Sequence, residues 1–334
     1  SMPESGSTKS LPRYLSFKSG FLARFFNYAN SLLWTIDKTC LLVYNRYLRY
    51  VKVAHMGMID ALGIKIDNVS LLRAKRLVSR FLSTPHYHQI VTVNPDFIMT
   101  ARKNSHFRSA VNGADLVLAD GVGINLPAFL QGKKLRARIP GVDFSEYILA
   151  YAQEMDLEVF LAVRNDGLST YVETKAAILI RYPRLRIHGC DVNIRSSRSL
   201  TNAQKKVRGD IVFVNFGTPI QDIFLSQLRY LPHQTLRLGI GVGGTFDFWT
   251  GKQTRAPIFI QKIGLEWLFR LILQPRRRFK RTFNYVVIFS LLCLRTALKE
   301  KIRFYGLSFR HHLLMLNKSW VRFANAIQRN TYFF

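Results

Sequence analysis

The residue of this sequence best suited to acid–base chemistry is Asp120, which stands before Gly121 at the end of the apolar run 115–119. A carboxylate beside glycine at the end of a strand is sterically accessible, and it could take the proton from a substrate hydroxyl. The alternative is that Asp120 is a turn residue or a helix N-cap, which is common for Asp before Gly. The other polar turns of the chain favour the catalytic interpretation.

Three further polar turns follow apolar runs in the same way. They contain Thr92 and Asn94 at the end of the run 88–93, residues 217–222 after the run 210–216, and residues 241–247 after the run 236–240. The carboxyl ends of parallel strands meet at one edge of a sheet, where the ligands of α/β proteins bind. Each glycine turn alone is more typical of a tight strand-to-helix connection, but together the four turns predict one site.

The turn Gly241-Val242-Gly243-Gly244 could present backbone N–H groups to a diphosphate. A P-loop is disfavoured because the chain contains no GxxxxGK[ST] sequence. The chain also contains no D-x-D sequence, and we predict no metal site. A departing diphosphate would then be stabilised by backbone N–H groups and arginine side chains.

The elements that must position these turns alternate along the chain. Apolar runs rich in β-branched residues alternate with amphipathic segments, which predicts an α/β fold with a Rossmann-like parallel sheet and helices on both faces. Asp143 precedes one of the helices and could either contact a ligand or be the N-cap. The predicted strands are 64–66, 88–93, 115–119, 158–163, 185–188, 210–216 and 236–242, and the predicted helices are 70–82, 95–105, 144–154, 169–182 and 220–231.

The two ends of the chain carry most of its formal charge of +29. Residues 9–52 contain eight Lys/Arg and one acid, and residues 270–334 contain fourteen Lys/Arg and one acid. Large aliphatic and aromatic side chains are interleaved with these charges, as in amphipathic helices that lie on an anionic membrane surface. Packing of both ends on the domain and binding of nucleic acid are the alternatives, and the aliphatic content disfavours nucleic acid.

No apolar run is long enough to span a bilayer, because the longest, 285–294, is about half of the roughly 20 residues required. Three widely spaced cysteines show no metal-ligand or disulfide pattern and fit a reducing compartment. We therefore predict a monotopic protein that faces the cytoplasm. The expected organisation is a disordered leader 1–13, a basic, amphipathic helical membrane-contact segment 14–52, an α/β domain 53–262, and an arginine-rich, membrane-associating helical appendage 263–334.

Taken in order, the motifs resemble those of the WecG/TagA/CpsF glycosyltransferases, glycosyltransferase family 26. The resemblance covers roughly residues 57–281. The matching motifs are TxN (Thr92, Asn94), ADGxG (119–123), RxxGxD (Arg138, Gly141, Asp143), GxPxQ (Gly217, Pro219, Gln221), GxGGxFD (241–247), G…RAP (Gly251, 255–257), GLEWxxRL (264–271) and PxR (Pro275, Arg277).

The resemblance implies an inverting, metal-independent and cofactor-free transfer from a UDP-sugar to an undecaprenyl-diphosphate-linked sugar. Such enzymes act in cell-surface polysaccharide biosynthesis, at the cytoplasmic face of the bacterial inner membrane. The expected partners are therefore the UDP-sugar donor, the polyprenyl-diphosphate-linked sugar acceptor and anionic membrane lipid, and not nucleic acid. The family also tends to form homo-oligomers.

The resemblance also assigns roles to residues. Asp120 matches the proposed general base, and Arg270 and Arg277 match arginines of an appendage that closes over the diphosphate. The turn 241–247 matches the nucleotide side of the site. Residues that match the sugar pocket are Thr92, Asn94, Arg138 and Gln221. Further substrate contacts are expected from Gly121, Asp143, Gly217, Gly241, Gly243, Gly244, Asp247, Arg255, Lys280 and Arg281.

Three positions depart from the pattern of the family. The turn after the strand 158–163 is usually Gly-rich, but here it reads Arg164-Asn165-Asp166-Gly167, and the usual Gln-Glu pair is Gln221-Asp222. The third arginine of the appendage falls at Lys280, with Arg281 adjacent, and either residue could serve. These departures leave the identity of the donor sugar open.

Two functions from other classes are the alternatives. One is a membrane-tethered protein that binds nucleotide-sugars without turnover, which predicts UDP binding but no product. The other is a basic nucleic-acid-binding protein, which predicts steeply salt-dependent binding to DNA or RNA.

Overall fold

The computed structural model describes residues 57–232 and 235–303, without the side chains of Arg277, Arg278 and Arg281. The predicted leader 1–13, the predicted membrane-contact segment 14–52 and the part of the appendage beyond residue 303 lie outside the described residues.

A six-stranded sheet, parallel throughout, forms the centre of the described fold. Its order is β4-β3-β8-β7-β5-β6. Neighbouring residues of one strand face opposite sides of the sheet, and both sides are buried except along the edge strand Arg186–Val192, which explains the continuous apolar runs of the other strands. The strands are β3 (His88–Val93), β4 (Leu116–Ala119), β5 (Glu158–Arg164), β6 (Arg186–Val192), β7 (Ile211–Val214) and β8 (Leu238–Gly241).

Helices cover both faces of this sheet, so the predicted α/β architecture is confirmed. One face packs against α1, α5 and α6, and the other packs against α2 and α3 at one end and α7 and α8 at the other. The helices are α1 (Leu71–Leu82), α2 (Pro95–Lys103), α3 (Ser105–Asn112), α4 (Asn125–Leu130), α5 (Gly141–Glu154), α6 (Tyr171–Arg181), α7 (Ser197–Lys206), α8 (Ile220–Leu228), α9 (Thr245–Trp249), α10 (Ile258–Lys262), α11 (Glu266–Leu273) and α12 (Pro275–Phe283).

A hairpin precedes the sheet, where only its second strand was predicted. β1 (Met58–Ala61) pairs antiparallel with β2 (Ile64–Asp67). The two-residue turn places Leu62 and Gly63 at positive φ, and the Asp60 carboxylate accepts a hydrogen bond of 2.7 Å from the Gly63 N–H. The turn therefore depends on Gly63 and on a local side-chain contact.

Asn104 divides the predicted helix 95–105 from a second helix. Its backbone is extended, with φ −133° and ψ 106°, and its Oδ1 accepts a hydrogen bond from the Phe107 N–H at the start of α3. An Asn side chain competes in this way with helical backbone bonds, and it ends one helix and begins the next.

The first part of the predicted appendage packs on the α/β domain. α11 ends at Leu273, and a new helix, α12, begins at Pro275. A π-helical turn, Asn284–Ile288, follows, and the chain is helical from there to residue 303. Phe289 and Cys293 are buried beside Ile98 and Ala101 of α2. None of the helices in the described ranges is both long and apolar enough to cross a membrane.

Candidate active site

The carboxyl ends of five strands open into one cavity of roughly 440 Å³. Asp120 follows β4, and the glycine turn Gly241–Gly244 follows β8, so these two segments face the same cavity. Arg270 of α11 lines it from the appendage. The other predicted site residues that line it are Thr92, Asn94, Gly217, Gln221, Asp247 and Arg255.

Asp120 is partly exposed at the wall of this cavity. Its backbone N–H donates to Val93 O at 2.9 Å, which ties the end of β4 to β3, and its Oδ1 accepts a hydrogen bond of 3.2 Å from the Gly141 N–H. It is not a helix N-cap, because the 3₁₀ turn that follows begins after Gly121 and has no side-chain cap. The carboxylate is thus oriented by the backbone and still faces the cavity.

The environment of Asp120 favours a base with a raised pKa. Burial raises the pKa of the Asp120 carboxyl above its ordinary value. The Gly141 N–H and the positive charges of Arg270 and Arg138 act in the opposite direction, while the Glu266 carboxylate raises the pKa further. A carboxylate with such a pKa is better matched to taking a proton from a hydroxyl than an ordinary surface Asp.

Gln221 joins the turns that follow β7 and β8. Its Oε1 accepts hydrogen bonds of 3.1 Å from both the Gly217 N–H and the Gly243 N–H. The side chain is only 2% exposed, although it lines the cavity. A Cβ on Gly241 would lie 2.4 Å from Gln221 Nε2, so the strand must end in glycine there. The Gln221 carbonyl oxygen therefore holds the two turns together. Both of its hydrogen bonds are made to these turns and not to a sugar.

Thr92 and Asn94 also have structural partners. Asn94 is the N-cap of α2, and its Oδ1 accepts from the N–H groups of Asp96 and Phe97 at 3.0 and 3.2 Å. Thr92 is 7% exposed, and a Cβ on Gly141 would lie 2.9 Å from its Oγ1. Both residues reach the cavity while they shape its wall.

Asp143 is not among the residues that line the cavity. It lies in the first turn of α5, whose N-cap is Pro140, so the alternative that Asp143 caps this helix is wrong. Its carboxylate is paired with the Arg255 guanidinium at 2.5 Å. Arg255 also contacts Glu266 of α11 at 3.4 Å. The pair therefore connects α5 to the appendage, and Arg255 is the member that lines the cavity.

A second cavity, of roughly 320 Å³, lies beside the first and shares Asn94, Asp96, Asp120, Glu266 and Arg270 with it. Gly121 and Arg138 line this second cavity, as does the appendage residue Glu266. Its apolar wall is formed by Leu126, Trp267, Tyr285, Val286 and Phe289. The carboxylate of Asp120 thus stands where a polar, glycine-lined space meets a partly apolar one.

Two arginines near Asp120 have no ion-pair partner within 4 Å in the described part of the chain. Arg138 donates to Gln261 O at 2.6 Å, and the Arg270 guanidinium lies 5.0 Å from the centre of the Phe248 ring. Their charge is therefore available to an anion in the cavity. Lys280 is exposed on α12 and is not among the lining residues, and the side chains of Arg277 and Arg281 are not described.

Several residues in or beside the cavity were not predicted. Ser169, 2% exposed, donates a hydrogen bond of 2.8 Å to Asp247 Oδ1 and so orients that carboxylate at the cavity wall. Asn215 accepts from the Arg164 N–H at 2.7 Å and joins the ends of β7 and β5. Neither residue belongs to a motif. The described residues contain no group of three His, Cys, Asp or Glu side chains that could hold a metal ion.

The chain is similar to N-acetylglucosaminyldiphosphoundecaprenol N-acetyl-beta-D-mannosaminyltransferases of Bacillus and Staphylococcus. It is 31% identical over 224 residues to that of Bacillus subtilis strain 168, covering 67% of this chain and 85% of the relative. It is 32% identical over 191 residues to that of Bacillus spizizenii strain W23, covering 56% and 72%. For that of Staphylococcus aureus strain NCTC 8325 the identity is 26% over 230 residues, covering 67% and 88%.

The match to a family model extends further than any of these relatives. The model of the glycosyl transferase WecG/TagA/CpsF family matches residues 59–303, which include every described residue of both cavities. The expectation drawn from the motifs is confirmed, and this chain belongs to the glycosyl transferase WecG/TagA/CpsF family.

Proposed function

We propose that this protein transfers one sugar from a UDP-sugar to a polyprenyl-diphosphate-linked sugar, by a single displacement that inverts the anomeric centre. Asp120 takes the proton from the acceptor hydroxyl, which then attacks the anomeric carbon from the face opposite the diphosphate. The observation that carries this proposal is the position of Asp120, which lines both cavities and shares the polar one with the glycine turn and Arg270.

The two cavities suit the two substrates. The polar cavity, with the backbone N–H groups of the glycine turn, fits the donor and its diphosphate. The second cavity has an apolar wall contributed by the appendage, and it fits an acceptor that carries a lipid. The names of the relatives specify an undecaprenyl-diphosphate-linked N-acetylglucosamine acceptor and an N-acetyl-beta-D-mannosaminyl group as the sugar transferred. We extend the acceptor class to this chain, with a hexose or N-acetylhexosamine, or the uronate of one, as the transferred sugar.

The charge on the departing diphosphate is offset by protein groups. Arg270, which lines the polar cavity, lacks a carboxylate partner among the described residues, and the glycine turn offers N–H groups that cost no reorganisation in the transition state. The sequence also lacks the D-x-D motif that commonly holds a divalent ion on a nucleotide-sugar. The reaction we propose is therefore independent of metal.

An exposed apolar and basic face suits the acceptor's location in a membrane. The apolar side chains Ile258, Phe259, Ile272, Phe279, Phe283, Leu291, Leu294, Leu298 and Ile302 are all exposed. Exposed Lys262, Arg276, Lys280 and Arg295 stand among them. Such a face fits the headgroup boundary of an anionic membrane. We infer monotopic attachment at the cytoplasmic face, where nucleotide-sugars are made.

The proposal is tested by product analysis with the full-length protein. A panel of UDP-sugars is offered with a synthetic polyprenyl-diphosphate N-acetylglucosamine in the presence of EDTA, and the product is identified by mass spectrometry and NMR. We expect one added sugar, with inverted anomeric configuration and undiminished yield in EDTA. UDP binding without product from any donor would instead support the nucleotide-sugar-binding alternative.

A further inference from the structure

Arg164, the last residue of β5, lines the polar cavity but has no part in the proposed transfer. Its guanidinium is held at two edges. Nε donates to Asp166 Oδ1 at 2.8 Å, Nη2 lies 2.7 Å from the same oxygen, and Nη1 donates to Phe216 O at 3.3 Å. These contacts leave a second N–H on each terminal nitrogen, together with the planar face of the group.

The surroundings keep this side chain in one place. The Arg164 backbone N–H is bound by buried Asn215, and a Cβ on Gly167 would lie 2.9 Å from Arg164 Cγ, so the turn folds closely over the side chain. The side chain is nevertheless 32% exposed. A guanidinium fixed before binding loses little conformational entropy when a ligand arrives. Arg164 is thus prepared for a contact inside the cavity.

The strand order separates Arg164 from the reacting end of the cavity. Asp120 follows β4, the glycine turn follows β8 two strands away, and Arg164 ends β5, two strands beyond that. At roughly 4.8 Å between neighbouring strands, Asp120 and Arg164 are about 19 Å apart along the sheet edge. In the proposed function the anomeric carbon lies near Asp120 and the diphosphate over the glycine turn. The remaining part of the donor, its nucleoside, then extends toward β7 and β5.

The charge around Arg164 agrees with a neutral ligand group. Asp166 offsets its positive charge directly, whereas Arg138 and Arg270 near Asp120 have no such partner among the described residues. An arginine paired with a carboxylate is a weaker site for a diphosphate, but its planar face and spare N–H groups remain suited to a base.

We propose that Arg164 binds the pyrimidine base of the donor, through the face of its guanidinium and its spare N–H groups. This inference rests on the proposed function, because it requires the anomeric carbon to lie near Asp120. It assigns to the segment 164–167 the recognition of the nucleotide rather than of the transferred sugar.

The test measures the affinity of the full-length protein for UMP, UDP and one UDP-sugar by isothermal titration calorimetry. In Arg164→Ala we expect all three affinities to fall by the same factor, on the order of tenfold. Arg164→Lys should lose nearly as much, because an ammonium group has no planar face. The matched control is Arg195→Ala, since Arg195 contacts the same Asp166 carboxylate at 3.6 Å but is not among the residues that line the cavity. It should bind all three ligands as the wild type does.

Other results would overturn the inference. A loss confined to the UDP-sugar would mean that Arg164 contacts the sugar, and a loss for UDP but not UMP would mean that it contacts the β-phosphate. Full affinity in Arg164→Lys would indicate a charge contact with phosphate, and unchanged affinity in Arg164→Ala would remove any role. Wild-type protein that binds no UDP would overturn the proposed function as well. Melting temperatures of the variants establish that each is folded. If Arg164→Ala does not fold, the affinities of Arg164→Lys decide the test.

Discussion

The side chain of Asp222, next to Gln221 on α8, is fully buried behind the glycine turn. Neither carboxylate oxygen has a hydrogen-bond partner of acceptable geometry within the described part of the chain. Burial raises the pKa of Asp222 from 3.8 to about 7. The neighbouring Gln221 side chain, whose amide N–H groups are the only donors it has for a carboxylate, opposes this rise without cancelling it. Between about pH 4 and pH 7 the folded protein therefore binds this proton more strongly than the unfolded chain does.

The substitution Asp222→Asn should change the pH dependence of stability. The folded state binds the Asp222 proton more tightly than the unfolded state, so the contribution of Asp222 to wild-type stability falls as pH rises from about 4 to about 7. The asparagine variant lacks this titration. We expect it to be more stable than the wild type at pH 8, by up to a few kcal/mol, with the difference shrinking toward pH 4. Denaturant unfolding at both pH values measures this, and a pH-independent difference would contradict the raised pKa.

Single residues differed in how far the sequence could predict them. Asp120 could be found because an Asp-Gly pair after an apolar run marks a strand end, whatever the neighbours of that strand are. No such signal marks Ser169 or Asn215. Asn215 matters because β5 and β7 are neighbours in the sheet, and Ser169 matters because α9 contacts the turn before α6. Asp143 matches the motif RxxGxD, but in the structure its carboxylate is paired with Arg255 and does not line the cavity.

At the scale of elements, the helical part of the appendage up to residue 303 is anchored by a few buried side chains. Phe289 is 1% exposed and packs with the core that includes Ile98 and Phe107, whereas Leu291 on the same helix is 57% exposed. Phe289 also lines the second cavity. We therefore expect the packing of this helix on α2 to stabilise both the fold and the wall of the second cavity.

The substitution Phe289→Ala should destabilise the protein by about 3–5 kcal/mol, the usual result of emptying a buried Phe site. Leu291→Ala, the matched control, should change the free energy of unfolding by less than about 1 kcal/mol, because its side chain is already exposed. Chemical denaturation of both variants measures the difference. Equal effects would mean that the helix does not pack on α2 as described.

The predicted elements were those with strong apolar periodicity. All six strands of the sheet overlap predicted runs, because the five that are buried on both faces are largely apolar. β6 was predicted only as far as residue 188, since residues 189–191 are exposed or only partly buried. The helix α7 was missed since only Ala203 and Gln204 of its ten residues are buried, which leaves no apolar stripe. β1 was missed because four alternating residues carry too little signal without the turn at Leu62 and Gly63.

On the scale of the whole molecule, the distribution of exposed apolar groups gives a prediction about membranes. Phe279 and Phe283 of α12 are 65% and 47% exposed and stack on each other at 6.5 Å, beside exposed Arg276 and Lys280. Replacing both with Ser should weaken binding to anionic vesicles by about tenfold or more, since each buried Phe contributes roughly 1.5–3 kcal/mol. The control is Ile180→Ser, because Ile180 is 83% exposed on α6, which packs on β5 and β6 at the other end of the sheet.

Vesicle co-sedimentation measures this binding with and without anionic lipid. We expect Ile180→Ser to bind as the wild type does. Equal binding by the double variant and the wild type would show that α12 does not contact the membrane. If the double variant loses the same amount of vesicle binding with and without anionic lipid, the basic residues do not contribute to membrane binding through anionic headgroups.

The central claim of this account is that Asp120 is the general base at the junction of the two cavities. The substitution Asp120→Asn tests it directly, because an asparagine Oδ1 can still accept the Gly141 N–H bond while the base is lost. We predict that transfer falls by about 10²–10⁴-fold while UDP affinity stays within a few-fold of the wild type. Asp156→Asn, at a side chain that is 82% exposed and outside both cavities, should transfer normally. Turnover by Asp120→Asn near the wild-type rate would contradict the account.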